Sequence, residues 1–597
     1  MEISSTPVLI PMESIINQDQ ARGRRKGGLM TVPFVIANEA FEKVASIGLH
    51  ANMILYLTNE YHLSNAYGMS IMFLWNAISN FMPAFGALLS DSYFGRFHII
   101  ALGTLVTSLG LIMLWFTALF KEARPPPCNK NINSNNCMMP DAAQLSLLFS
   151  SFALISIGAG CIRPCSMAFG ADQFNKQENP KNERVLQSFF NWYYASVGIS
   201  ILFSVTVIVY IQTKFGWAIG FGVTVGLSIL STIVFLLGSS LYVKVKANKN
   251  MIKGFVRVIH GAMNNKDIPF PPKESSNMEI WYHHKKDSLF STPTQKLRFL
   301  NKACLIRYPE KEYLNSDGTP NNSSLCTVQE VEELKALIKV LPIWSTGIMM
   351  AVSMNLYSFL VLQANTMDRH FIKNINIQIP PGSFGAFGIL TMIIWVAIYD
   401  CVLVQRISKV TKRSRGLSLK QRMGTGLLLS CIALAISALV EKERRLRAIR
   451  EGFGDNPKAV VYMSAMWLVP QQCLSGLAEG LNIIGQIEFY YSQLPKNMAS
   501  IGVALFSVGM AIGNLVGILI VGIVDNVTKR GGKVSWISNN LNRGHYDYYY
   551  WIITLLSVVN FFYYLLCSWA YGSEEGGSVW DIEENEKENK DLIVLDS

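Results

Sequence analysis

Long runs of apolar residues, separated by short polar turns, recur along this chain and constrain its fold more than any other feature. A helix that crosses a bilayer needs about 20 predominantly apolar residues. Half of the 597 residues are hydrophobic, so we expect an all-α membrane protein with twelve transmembrane helices. The predicted spans are residues 29–58, 66–89, 97–119, 143–168, 187–211, 216–242, 337–363, 381–405, 423–441, 459–490, 499–524 and 549–571.

The predicted spans form two groups of six, with a polar and basic stretch between them. The end of that stretch, residues 327–344, has the pattern of an amphipathic helix that leads into span 7. The expected segments are a cytoplasmic N-terminal tail at 1–28, an N-terminal six-helix bundle at 29–242, a cytoplasmic linker at 243–336, a C-terminal six-helix bundle at 337–571 and an acidic cytoplasmic tail at 572–597.

The net charge of +11 comes from basic clusters beside the spans, so it indicates membrane topology rather than a nucleic-acid partner. The clusters at 22–26, in the linker and at 406–422 predict that both termini and the linker are cytoplasmic. Residues 441–451 (EKERRLRAIRE) are an exception, because this topology places them outside. Cys128 and Cys137 lie in a loop that this topology places outside. The sequence leaves open whether a disulfide joins them.

The first span carries Glu39, Glu42 and Lys43 in its middle. With a rise of ~1.5 Å per residue, Glu39 lies about 15 Å from Leu29, near the centre of a ~30 Å hydrocarbon core. The spacing places the three charges on one helical face, where Glu39 and Lys43 can pair. Charged groups at this depth normally face a protein interior or a wet cavity. Two carboxylates beside one cation predict a proton-binding site, with a neutralised packing cluster as the alternative.

Four segments in chain order resemble motifs of the plant nitrate and peptide transporter family, the plant branch of the proton-coupled oligopeptide transporters. They are residues 39–43 (EAFEK), 86–96 (GALLSDSYFGR), 160–174 (GCIRPCSMAFGADQF) and 190–194 (FNWYY). The resemblance implies a major-facilitator fold, in which two six-helix bundles alternate access to a midplane site. It also implies coupling to protons, with no other cofactor and no metal. Asp91 and Arg96 would form a gating loop that braces cytoplasmic helix ends without contacting substrate.

Two more charges lie within predicted spans, Arg163 in span 4 and Glu479 in span 10. An unpaired carboxylate at Glu479 is costly unless it is protonated or paired across helices. For Arg163, snorkelling to the membrane surface is the alternative. The resemblance implies that both residues face a central cavity from opposite bundles and pair in only one conformation. Arg163 would then attract an anion as a fixed cation, because Arg keeps its proton, and Glu479 would take up a proton.

The expected substrate depends on where the chain departs from the family that it resembles. Met354 stands where a nitrate-carrying relative has a histidine that contacts the anion, and Met is apolar and adaptable. Asn355 and Tyr357 are the nearby donors, and Gly198 stands where peptide carriers tend to have Asn. We expect a small anionic solute, with nitrate first, a carboxylated plant hormone such as a gibberellin or abscisate second, and di- or tripeptides third.

Other classes of function are less favoured. No Gly-rich phosphate-binding motif supports ATP-driven pumping, and no activated nucleophile at membrane depth supports an enzyme. A nutrient sensor that signals through the linker or the acidic tail is the alternative from another class.

We expect a multi-pass protein of the plant plasma membrane, with the vacuolar membrane as the alternative. Whether a kinase acts on the cytoplasmic loops stays an open question. The aromatic residues at 548–551 are interpreted as an interfacial belt.

Overall fold

The structure, a computed structural model, describes residues 27–127, 138–174, 181–244, 251–271, 281–284, 292–306, 325–371, 378–403, 406, 409, 417–495 and 498–572. The predictions for residues 1–26, for Cys128 and Cys137 and for the acidic tail from residue 573 lie outside the described residues. The five segment boundaries stay a prediction.

The described chain is mostly helical. Its helices are α1 (Val32–Asn59), α2 (Asn65–Leu89), α3 (Arg96–Leu119), α4 (Ala142–Asp172), α5 (Lys181–Phe203), α6 (Val209–Phe215), α7 (Trp217–Leu237), α8 (Met251–Asn264), α9 (Val328–Met354), α10 (Tyr357–Asn365), α11 (Gly385–Ile398), α12 (Leu419–Arg450), α13 (Val469–Gln493), α14 (Ala499–Thr528) and α15 (Tyr546–Tyr571). Two short parallel strands, β1 (Met367–Asp368) and β2 (Val461–Ser464), pair beside α10 and α12.

Ten helical segments in the described part of the chain are long and apolar enough to cross a membrane, fewer than the twelve predicted. The two predicted spans outside that set are α1 and α13, which are long helices of 28 and 25 residues. Both carry ionisable side chains within apolar sequence, at Glu39, Glu42 and Lys43 in α1 and at Glu479 in α13, and these lower their hydropathy. A helical membrane protein is therefore confirmed, while the count of twelve spans is not.

Glycines let helices cross closely at matching places in the two halves of the chain. A Cβ atom on Gly86 of α2 would lie 2.2 Å from the carbonyl oxygen of Gly160 in α4. In the second half, a Cβ on Gly476 of α13 would lie 2.0 Å from the carbonyl oxygen of Gly388 in α11. Small residues of this kind allow helix backbones to approach closely in membranes.

Gly86→Ala is expected to destabilise the protein, because the added methyl group meets backbone rather than a flexible side chain. Overpacking of this kind costs about 1–3 kcal/mol. The measurement is the thermal unfolding midpoint of purified full-length protein in detergent. Gly226→Ala in α7 is the matched control, because nothing lies within 4 Å of the Cβ position there. Equal midpoints for the two variants would contradict the close crossing.

Breaks in two helices determine what faces the centre of the molecule. The stretch predicted to be an amphipathic helix forms the start of α9, which Thr327 and Glu330 cap at its N-terminus. The predicted span 7 lies within one candidate membrane span, residues 328–365, in which the helical path is interrupted at Asn355 before α10 begins. A π-helical turn at Ser204–Ile208 likewise separates α5 from α6, and such turns are frequent at functional sites.

The two halves are joined at the end of the molecule that the topology prediction places outside, here called the outer end. One hydrophobic core there contains residues of both halves, including Tyr56 and Phe73 with Phe359 and Tyr549. Toward the opposite end, separate cores lie within the first half and within the second half. Asn65 adds polar contacts between the halves, because its backbone and side-chain nitrogens donate to Asn539 and to the Ser538 carbonyl at 2.8 and 3.1 Å. The outer end is closed.

Candidate functional site

A cavity of about 370 Å³ lies between the two halves of the chain. α1, α2 and α4 line it from the first half, and α9, α10, α11 and α13 line it from the second. Five residues singled out from the sequence line this cavity: Arg163, Met354, Asn355, Tyr357 and Glu479. The structure therefore brings together residues that are far apart in the sequence.

Arg163 and Glu479 face the cavity from opposite halves, as the resemblance implied. Among the described residues, neither forms an ion pair in this structure. The Nε atom of Arg163 is buried and has no hydrogen-bond partner in the described part of the chain. The guanidinium therefore presents its positive charge to the cavity without a carboxylate beside it.

The break between α9 and α10 explains why Asn355 and Tyr357 both line the cavity, although a continuous helix would place them about 160° apart around its axis. The side-chain amide of Asn76 on α2 donates to the Asn355 side-chain oxygen at 3.1 Å, so a hydrogen bond joins the two halves at the cavity wall. The Tyr357 hydroxyl donates to the Gly382 carbonyl oxygen. Met354, which also lines the cavity, supplies apolar surface.

The sequence did not reveal an aromatic wall in the first half of the chain. His50 stacks on Trp75 with ring centroids 4.9 Å apart, and Trp75 stacks on Phe152 at 4.4 Å. His50, Trp75 and Asn76 line the cavity, and the Nε2 atom of His50 has no hydrogen-bond partner among the described residues. The signal in the sequence was weak, because a lone histidine in an apolar run usually has a structural role.

The predicted proton site forms a compact cluster on α1. Lys43 Nζ lies 3.2 Å from a Glu39 carboxylate oxygen and 3.5 Å from a Glu42 carboxylate oxygen. The two carboxylates are 2% and 3% exposed. Within the described residues, neither Glu42 oxygen accepts a hydrogen bond. Two buried acids thus share one cation, and the cluster does not line the cavity.

The cluster and the cavity occupy the same face of α1. At 3.6 residues per turn, Glu39, Lys43, Ser46 and His50 fall within about 60° of one another around the helix. Ser46 and His50 line the cavity, and Lys43 lies one turn below Ser46. A change of charge at Glu39 or Glu42 can therefore act on the cavity through a single helix face.

Asp91 and Arg96 lie away from the cavity, at the opposite end of the molecule from the outer end. Arg96 Nε donates to Asp91 at 3.3 Å, and its NH1 atom donates to both carboxylate oxygens of Asp172 at 2.8 Å. Asp172 ends α4, so Arg96 ties the turn between α2 and α3 to a third helix. This geometry matches the bracing that the resemblance implied, and its role in gating stays a prediction.

The aromatic residues that open α15 are only in part an interfacial belt. Tyr548 and Trp551 are exposed, whereas Tyr549 and Tyr550 are buried, so the interpretation was wrong for these two. The reason is the helical repeat, which turns alternate pairs of neighbours toward the core. Tyr550 lines the cavity.

Within the described ranges, no group of three or more His, Cys, Asp or Glu side chains is arranged to hold a metal ion.

A helical membrane protein with a closed outer end and a central cavity lined by both polar and apolar side chains has the architecture of a solute transporter. A family model described as PTR2, POT family, matches residues 97–537. Protein NRT1/PTR FAMILY 1.2 of Arabidopsis thaliana is 49% identical over 570 residues, which are 94% of this chain and 93% of that protein. NRT1/PTR FAMILY 1.1 of the same plant is 49% identical over 558 residues, which are 93% of this chain and 94% of that protein.

Solved structures share the fold. The crystal structure of an auto-inhibited POT family peptide transporter matches with a TM-score of 0.66 and 18% identity, over 92% of this chain and 99% of that one. A POT family transporter in complex with 5-aminolevulinic acid matches with a TM-score of 0.60 and 12% identity, over 92% and 99%. The chain belongs to the POT family, in its NRT1/PTR group. It is a multi-pass, proton-coupled membrane transporter and not an enzyme.

Proposed function

We propose that this transporter carries a small monovalent organic anion together with protons, and that a carboxylated compound of the gibberellin or abscisate kind fits its cavity best. The observation that carries the proposal is that the cavity combines an unpaired cation with apolar surface. The first half supplies the cation Arg163, and both halves supply apolar side chains, among them Ile155, Met354 and Ile389.

The size of the cavity supports an organic solute. Pockets of ~300–1,000 Å³ bury drug-sized ligands in proteins, and the volume here of about 370 Å³ lies in that range. A carboxylate held at Arg163 leaves the body of the solute against the aromatic and apolar walls. Nitrate has four heavy atoms and would leave most of this space to water.

Nitrate is the second candidate, and the amide groups favour it. Asn76, Asn80 and Asn355 line the cavity, and amide nitrogens donate hydrogen bonds to oxyanions. Because Met354 cannot donate a hydrogen bond, fewer donors are available than the nitrate-carrying relative would have. Peptides remain third.

We propose that α1 and α13 cross the membrane as well, which gives twelve spans in two bundles that rock about the cavity. Glu39 and Glu42 would bind the coupling proton beside Lys43. Glu479 would take up a proton when unpaired, and would pair with Arg163 in the other conformation. The plasma membrane is the proposed location.

The test is tracer uptake and current in voltage-clamped oocytes at acid and neutral external pH, with gibberellate, abscisate, nitrate and a dipeptide. We expect acid-stimulated uptake of a carboxylated compound. Tracer uptake is measured beside current, because one proton moving with one monoanion carries no net charge. Met354→His is expected to increase nitrate uptake several-fold without increasing gibberellate uptake. Uptake of the dipeptide alone would overturn the proposal, and so would uptake of the anions that ignores pH.

A further inference from the structure

Tyr550 connects the cavity to a buried hydrogen-bond chain. Tyr550 is among the residues that line the cavity, and its hydroxyl donates to the Gln363 side-chain oxygen at 3.1 Å. Tyr550 is 3% exposed and Gln363 is fully buried. A phenol has one proton to donate. The hydroxyl can therefore donate to Gln363 or to a solute in the cavity, but not to both at once.

The direction of the Gln363 amide is set from its far side. Its side-chain nitrogen donates to a Glu441 carboxylate oxygen at 2.7 Å. Arg444 binds both oxygens of that carboxylate at 2.8 Å. Because an ionised carboxylate only accepts hydrogen bonds, the amide nitrogen stays on the Glu441 side. The amide oxygen is thus held toward Tyr550 as a fixed acceptor.

The chain of contacts continues into the closed outer end. Arg444 NH1 donates to the Asn542 side-chain oxygen at 2.9 Å, and its NH2 atom donates to the Leu541 carbonyl oxygen at 3.2 Å. The same outer segment contacts the first half of the chain, because the Asn65 side chain donates to the Tyr546 hydroxyl at 3.1 Å. The bond between Tyr550 and Gln363 is thus observed together with a closed outer end.

We propose that Tyr550 is a specificity-determining residue whose hydroxyl donates to the anionic group of the solute while the outer end is open, and to Gln363 once the outer end has closed. The proposal rests on the proposed function, since the competing acceptor is an anion. Closure withdraws one donor from the solute, so the closed carrier binds it more weakly and releases it toward the opposite side. A hydrogen bond to a charged group corresponds to roughly tenfold in affinity or more.

Two variants separate this role from a structural one by moving the apparent KM in opposite directions. Tyr550→Phe removes the donor and is expected to raise the KM for external anion about tenfold, with the maximal rate little changed. Gln363→Met leaves the hydroxyl with the solute after closure, so it is expected to lower both the KM and the maximal rate. Tyr549→Phe is the control, since Tyr549 does not line the cavity and its hydroxyl has no hydrogen-bond partner among the described residues.

The measurement is concentration-dependent uptake of labelled gibberellate and nitrate in oocytes, normalised to the amount of each variant at the surface. If Tyr550→Phe has the KM of the Tyr549→Phe control while the wild type takes up a probe, this inference is wrong and the proposed function stands. If the wild type takes up neither probe and also takes up no abscisate, both are wrong. Tyr550→Phe removes a single oxygen atom, so its KM decides the question even if Gln363→Met does not reach the surface.

Discussion

Glu42→Gln is expected to reduce acid-stimulated uptake at least tenfold. Glu42 is nearly fully buried and lies 3.5 Å from Lys43, with no hydrogen bond to either of its oxygens in the described part of the chain. A buried carboxylate is unfavourable when its cation moves away, and binding a proton removes the unpaired charge. The amide of Gln imitates the protonated acid permanently, so the cycle of protonation and release stops.

The same variant is expected to keep exchanging labelled for unlabelled solute across the membrane, because exchange needs no net proton movement. Retained exchange distinguishes loss of coupling from loss of folding. Glu443→Gln is the matched control, since Glu443 is an exposed acid that pairs with Arg447 on the surface. If Glu42→Gln preserves the full acid stimulation seen in the wild type, then Glu39, Glu42 and Lys43 form a packing cluster and the proton site lies elsewhere.

The sequence predicted the positions of most helices and much of the cavity. Apolar runs located the helices. Motif resemblance placed Arg163 and Glu479 at a central cavity; both residues line the cavity of the structure, and their roles stay a prediction. The resemblance also drew attention to residues 354–357, but not to the helix break that lets Asn355 and Tyr357 face the same cavity. A break in an apolar segment depends on tertiary packing and leaves little trace in local sequence.

The residues that sequence reasoning missed are those whose roles depend on burial. His50 and Trp75 lie in apolar runs, and only the fold shows that their stacked rings form a cavity wall. Arg444 was grouped with its charged neighbours in an outer loop. In the structure α12 continues to Arg450, and Arg444 and Glu441 are fully buried. The apparent exception to the positive-inside rule is thus partly resolved, because this arginine is neutralised by an ion pair inside the fold.

The buried pair of Glu441 and Arg444 is expected to be the most sensitive ion pair that the structure describes. Arg444→Met leaves the Glu441 carboxylate buried without a cation, and breaking a buried pair in this way costs about 3–5 kcal/mol. The expected result is a large fall in the thermal unfolding midpoint of the purified protein and in its amount at the oocyte surface. Arg447→Met is the control, because the exposed pair of Arg447 and Glu443 contributes only ~0–1 kcal/mol.

The double variant Glu441→Gln/Arg444→Met separates the cost of an unpaired charge from the cost of lost hydrogen bonds. Removing both charges of a buried pair is often close to neutral, so the double variant is expected to be more stable than Arg444→Met alone. Its stability should not reach that of the wild type, because Asn542 and the Leu541 carbonyl still lose their hydrogen-bond donor. A double variant no more stable than Arg444→Met would show that Arg444 stabilises the outer end through those two hydrogen bonds and not through its charge. The same outer segment also binds Asn65 of the first half. Either result therefore reports how much these contacts contribute to the stability of the closed outer end.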